Sequence, residues 1–160
     1  MGRSTGAVVP LARWTFTLAA MEWTDVVEKA RQIGWTTYIG TTDQAGQPHV
    51  AVVAPGFSDD GHVWFVTRSG TKKLANLRKN PKVGMHWPIG GQGPGELFVR
   101  GVASVLDRVE NQRIWNSGIF PYDLSEFWKG PDDPDLVFVD ITAEYATFID
   151  GTFTGHRWYR

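Results

Sequence analysis

TRSGTKKLANLRKNP, Thr67 to Pro81, joins a strand end, a polar turn, a pair of cations and a short helix in one continuous run. The preceding Trp64 to Thr67 is an apolar run bounded by turn residues, which reads as a buried strand. Ser69, Gly70 and Thr71 supply hydroxyls and a permissive backbone. Lys72, Leu74, Ala75, Leu77 and Lys79 then favour helix until Asn80-Pro81 stops it. A helix start carries unpaired N–H groups and a partial positive charge, so Lys72 and Lys73 in its first turn oppose the local dipole. A bound anion such as a phosphate accounts for that choice. A solvated basic helix, continued by Arg78 and Lys79, fits the same residues.

Outward from this stretch, short alternating runs and Gly-bearing turns dominate. Trp35 to Thr42 and His49 to Ala54 form an expected hairpin around DQAGQ at Asp43 to Gln47, and SDDG at Ser58 to Gly61 leads into the third strand. Val83, Met85 and Trp87 alternate with Lys82, Gly84 and His86, giving one buried face. GGQGPG at Gly90 to Gly95 reads as a mobile loop. Leu97, Val99, Ala103 and Val105 alternate in a long strand with Gly101 at a bend. Val137, Val139 and Ile141 mark a late strand, and Tyr145 to Ile149 a separate one. Helices are expected from Thr24 to Ile33, with Asp25 and Glu28 at capping-box spacing, and from Asp107 to Trp115. About six strands and three helical pieces imply a mainly β chain with flanking helices (α+β), arranged as a small antiparallel barrel.

Composition excludes several classes. The 160 residues carry net charge −1 with 42% hydrophobic content, which suits one domain with a real core and gives no footprint for nucleic acid. The chain has no cysteine, which removes disulfides, thiolate nucleophiles and Cys-based zinc sites and fits a reducing, cytoplasmic setting. The four histidines lack ligand spacing, so no metal is expected. Residues 1–20 read as a mobile extension before a domain at 21–160; their modestly apolar stretch is interrupted by Pro10 and Arg13, and no membrane span is expected. Trp35, Trp64 and Trp87 are assigned to the core. Trp115, Phe120, Tyr122, Phe127 and Trp128 crowd a Gly- and Pro-punctuated segment, as a subunit interface or an aromatic wall beside a flat ligand. Asp132, Asp133 and Asp135 read as a turn, not an acid-base cluster.

Three blocks, Ile39 to Val53, Val63 to Trp87 and Trp115 to Thr142, together resemble the pyridoxamine 5'-phosphate oxidase-like FMN-binding split barrels, and most closely their general stress protein 26-like branch. The family's phosphate grip is similar to Thr67, Thr71, Lys72, Lys73, Leu77, Asn80 and Pro81 as they stand here. The resemblance implies a homodimeric split β-barrel with FMN in the groove between protomers. It implies a cofactor site drawn from Ala51, Val52, Val53, Ala54, Val66, Thr67, Ser69, Thr71, Lys72, Lys73 and Trp128. Backbone at Val52 to Ala54 and at Val66 would meet the pyrimidine edge of the ring. The chemistry would be redox turnover of a small molecule, with no catalytic side chain assigned; the deazaflavin F420, reached by Arg68, Arg78 or Arg100, and flavin binding without turnover are the alternatives. Ala51 stands where the oxidases carry a basic residue, and a second oxidase lysine would fall near Gly56. That leaves Lys72 and Lys73 as the main local cations and implies that the chain is not itself a pyridoxamine 5'-phosphate oxidase.

Overall fold

The computed structural model describes residues 18–90, 93, 95–152 and 154–160. Nine strands form one mixed sheet: β1 (Leu18–Ala20), β2 (Thr37–Thr42), β3 (Pro48–Val53), β4 (Gly56–Phe57), β5 (His62–Arg68), β6 (Lys82–Trp87), β7 (Gly95–Val105), β8 (Leu136–Asp150) and β9 (Gly155–Tyr159). The helices are α1 (Trp23–Ile33), α2 (Lys72–Leu77) and α3 (Arg108–Trp115), with one 3-10 turn at Leu124–Glu126.

The main path runs β1-β9-β8-β7-β6-β2-β3, and β5 with β4 branches from β8. Two partners share one edge of the long β8. Its first half, Leu136 to Thr142, pairs with β5, and Tyr145 to Ile149 pairs with β9. On the other edge β7 follows β8 along most of its length, with a register shift between Arg100 and Gly101. Gly101 is required there, because a Cβ would stand 2.9 Å from Ile141 Cγ2 and 3.0 Å from Ala143 Cα.

The inner face of this curled sheet and the two helices that cover it enclose the main core. Val26, Ala30 and Ile33 of α1 and Leu74 and Leu77 of α2 meet Phe65, Met85, Trp87, Val99 and Ile141. A second cluster lies on the opposite face of β5 and β8, where Trp64, Leu136 and Phe138 meet Ile114, Phe120, Leu124 and Trp128. The alternation along β5 assigns the residues: Val63, Phe65 and Thr67 are buried inward, while Trp64 and Val66 belong to the outer cluster.

Several sequence expectations change. The sheet is not wholly antiparallel, because β1 lies parallel to β9 and Met21 N–H donates to the Arg157 carbonyl. The last three residues of the expected 1–20 extension are therefore paired strand; residues 1–17 lie outside the described residues. Nine strands replace about six, and Val137 to Ile149 is one continuous strand instead of two. Helix α1 is capped one turn earlier than the Asp25/Glu28 pattern implies: Glu22 N–H donates to Asp25 Oδ2 at 2.8 Å. Trp64 and Trp87 are buried, but Trp35 precedes β2 and is 59% exposed, so it is not a core residue. Part of the expected Gly90 to Gly95 loop lies outside the described residues. Asp107 does cap α3, accepting from Val109 N–H at 3.1 Å.

Candidate functional site

Strand β5 ends at Arg68, and the chain turns directly into α2. Two hydrogen bonds to Asp135 fix the turn, one from Ser69 N–H to the carbonyl and one from Ser69 Oγ to Oδ1 (2.9 Å). The Ser69 hydroxyl is thus a structural tie to the segment before β8. Thr67 Oγ1 and Thr71 Oγ1 lie 3.1 Å apart, and the Thr71 hydroxyl donates to the Arg68 carbonyl. Thr71 is the extended N-cap of α2 and makes no side-chain cap bond, and the amides of Lys72, Lys73 and Leu74 have no hydrogen-bond partner among the described residues. Asn76 Nδ2 donates to Thr41 Oγ1 at 3.0 Å and Asn80 Nδ2 to Thr42 Oγ1 at 2.6 Å, so buried polar bonds pin the helix to β2.

The two lysines differ. Lys72 is exposed and sits 3.6 Å from Asp43 Oδ2 in the β2–β3 turn. The Asp43 carboxyl is held below the usual carboxylate range, first by the Gln47 N–H and also by the Ala45 N–H and Lys72. Lys73 is half-buried, has no carboxylate partner among the described residues, and has its pKa pushed down by burial. A half-buried cation beside amides without a partner among the described residues is an arrangement that can receive an anion.

On the other face of β5 a hollow of about 330 Å³ is lined by Trp35, Val52, Val53, Ala54, Val66, Arg68, Tyr122, Phe127 and Trp128, with Thr36 at its edge. It brings together five residues expected from the sequence: Val52, Val53, Ala54, Val66 and Trp128. Ala51 lies outside it, half-buried against the main core. Ser69, Thr71, Lys72 and Lys73 lie beyond the end of the same strand, and Thr67, its last residue but one, faces inward. Gly56 packs on the Ile119 backbone; a Cβ would come within 2.5 Å of the Ile119 carbonyl oxygen. No side chain fits at that position without moving the chain.

Five lining residues fall outside the expected cofactor set, Trp35, Thr36, Arg68, Tyr122 and Phe127, of which Tyr122 and Phe127 belong to the expected aromatic wall. Trp35 and Phe127 are exposed aromatics that both pack edge-on to Tyr122, at 6.1 and 5.7 Å between centroids. The Tyr122 hydroxyl donates to the Ala54 carbonyl (3.3 Å), using one of the two acceptor sites on an oxygen expected to serve the ligand. Burial pushes its pKa up to about 12. A tyrosine raised in the fold stabilises fully below its unfolded value of about 10, and that contribution is lost as pH climbs from there towards about 12. Tyr122→Phe is therefore expected to flatten the alkaline fall in melting temperature between those values. A variant whose alkaline profile matches the parent contradicts this assignment.

A second hollow, about 620 Å³, lies on the outer face of β2, β3, β6, β7 and β8. Gly40 and Gly84, paired in register, line it, and Tyr38, Val50, Phe98 and Tyr145 stand around them. Val50 is 63% exposed and Val52 57%, so Val52 links this apolar face to the first hollow. His86 stacks on Phe98 with centroids 4.2 Å apart and bonds Glu96 at 3.1 Å; Arg100 stands over Tyr145. Among the described residues no His, Asp or Glu group is placed to hold a metal, and no helix is long and apolar enough to cross a membrane.

A family model described as pyridoxamine 5'-phosphate oxidase matches residues 35–150. The sequence is 29% identical to general stress protein 26 of Bacillus subtilis over 106 residues, 64% of this chain and 71% of that protein. It is 36% identical to the pyridoxine/pyridoxamine 5'-phosphate oxidase of Sodalis glossinidius, but over only 50 residues, 31% of this chain and 23% of that enzyme. A crystal structure of a protein related to general stress protein 26, from Clostridium acetobutylicum, shares the fold with TM-score 0.66 at 20% identity, covering 85% of this chain and 90% of that one.

Proposed function

The chain belongs to the pyridoxamine 5'-phosphate oxidase family, and on that premise we propose that it is an FMN-binding oxidoreductase acting on a small molecule. In this reading it works as a homodimer of split barrels with the cofactor at the subunit interface. The observation that carries the reading is the cation at the start of α2: among the described residues Lys73 is half-buried without a carboxylate partner, its pKa pushed down by burial, beside amides that have no partner there either. A phosphate relieves all three costs at once.

The residues divide the work. Lys73 and the first-turn amides hold the phosphate, and Lys72 joins them by leaving Asp43, a surface pair that costs little to break. The Thr67–Thr71 hydroxyl pair braces the turn beside it, its two protons going to Thr71 Oγ1 and to the Arg68 carbonyl. The backbone of Val52 to Ala54 and of Val66 lines the ring's slot, where the second acceptor site of the Ala54 carbonyl stays available beside Tyr122. Trp128 and Tyr122 wall the slot and exclude water. When bound, FMN supplies hydride or electron transfer at its ring, and the protein positions it. Lack of a basic residue at Ala51 and Gly56 supports a reading outside vitamin B6 oxidation.

The second copy is assigned to the outer face of the sheet, where Tyr38, Val50, Val52 and Phe98 expose apolar area continuous with the ring slot. Val50→Glu combined with Phe98→Glu is expected to convert a dimer into a monomer by light scattering and to weaken FMN binding in parallel. A double variant that stays dimeric places the interface elsewhere.

Titration of the purified chain with FMN, and with F420 in parallel, tests the cofactor. Saturable FMN binding with weaker F420 binding is expected. The bound flavin should then be reduced by NAD(P)H and reoxidised by an acceptor. FMN that binds without being reduced by any donor would point to a flavin-binding protein without turnover.

A further inference from the structure

Arg68 is a cation in a hollow otherwise walled by apolar and aromatic groups. Its guanidinium carbon lies 4.8 Å from the centroid of the Trp128 ring, which is itself buried. Among the described residues its side chain makes no hydrogen bond and no ion pair within 4 Å, and its charge reaches the Asp133 carboxyl only at longer range, as one of the lesser causes that hold that group below its usual range. Stacking of this kind fixes the plane of the guanidinium and leaves its N–H edge free for an acceptor. Trp35 and Phe127 stand exposed on the same hollow, at 59% and 55%, although large aromatics on a surface gain nothing from water. Flat apolar walls with one planar, unpaired, forked cation match a flat molecule bearing a planar, two-oxygen anion.

We propose that the mouth of this hollow, above the slot assigned to the flavin ring, binds aromatic carboxylates: their ring packs between the exposed Trp35 and Phe127, and the carboxylate takes the free edge of Arg68 in a bidentate pair. That such a ligand is the substrate rests on the function proposed above; its binding does not. The affinity comes from two sources that can be separated. The aromatic walls bind any flat ring, and Arg68 discriminates by charge and by fork geometry.

The test uses 2-naphthoate and its neutral isostere 2-naphthamide as probes, with tryptophan fluorescence as the readout, on the whole chain with and without FMN. Naphthoate is expected to bind at least about tenfold tighter than the amide. Arg68→Gln is expected to bring the two probes level, with any loss of FMN affinity smaller than the loss for naphthoate. Equal affinities in the unaltered protein overturn the proposal, as does tighter binding of 2-naphthyl phosphate than of naphthoate. A loss of FMN affinity in Arg68→Gln as large as the loss for naphthoate also overturns it, because Arg68 then serves the cofactor. Naphthoate discrimination in a chain that binds no FMN leaves this site standing and removes the cofactor reading instead. Should the Gln variant fail to fold, Arg68→Lys carries the same test: it keeps the charge, loses the fork, and is expected to lose naphthoate affinity with no change for the amide. Unchanged naphthoate binding in Arg68→Lys overturns the bidentate pair.

Discussion

Replacing Lys72 and Lys73 together by alanine is expected to weaken FMN binding roughly 100-fold, with the fold intact. Hydrogen bonds to a charged partner contribute about 1.5–3 kcal/mol each. Lys72 contributes at the low end because it gives up its exposed pair with Asp43 to reach the phosphate. Lys73 has nothing to give up, so it carries the larger share. About 3 kcal/mol for the pair corresponds to the stated factor. Stability should barely change, since Lys72 is exposed and removing the half-buried Lys73 also removes a desolvated charge. Calorimetric titration measures the affinity, and melting the fold. Binding of unaltered strength moves the phosphate away from α2.

Phe138→Ala is expected to cost about 4 kcal/mol and to lower the melting temperature by roughly 8–16 °C. Phe138 is fully buried and stacks on Phe120 at 5.8 Å, in the outer cluster that also holds Trp64 and Trp128. That cluster supports one wall of the hollow, so the cavity left by the missing ring loosens Trp128 and Arg68 above it. FMN and flat-ring binding should weaken together in the folded variant, although no contact to either ligand has been removed. A variant with parental melting would mean that the Gly- and Pro-rich segment from Trp115 to Trp128 is held by other contacts.

The parts of the molecule legible from residues alone are those whose physics is local. The turn into α2, the alternation of Val83, Met85 and Trp87, and the Asp107 cap each depend on neighbours a few positions away, and they stand where periodicity places them. What the residues hide is long-range. β1 exists because a three-residue segment finds β9 more than a hundred positions later, and no local pattern signals that pairing. Ala143 and Glu144 look like a break between two strands, yet β8 runs through them because it changes partners from β5 to β9 there. The α1 cap begins with Glu22, outside the usual N-cap residues, which made the Asp25/Glu28 pattern the more visible one. Trp35 reads as core when it is placed in a strand, where large aromatics commonly dominate burial, but β2 begins only at Thr37. The partner of Trp35, Tyr122, comes from the far segment, and the two meet at the mouth of a hollow instead. Arg68 was noticed only as a charge; its role depends on Trp128, sixty positions away in the chain.

The claim that everything else rests on is that the amides and ammonium groups at the start of α2 hold the phosphate of FMN in each subunit of a dimer. Native mass spectrometry of the chain incubated with FMN, beside the Lys72→Ala/Lys73→Ala variant, measures stoichiometry and site together. The account predicts a dimer carrying two FMN molecules for the parent and a dimer carrying none for the variant. A parent that binds no FMN, or a variant that retains both, contradicts it.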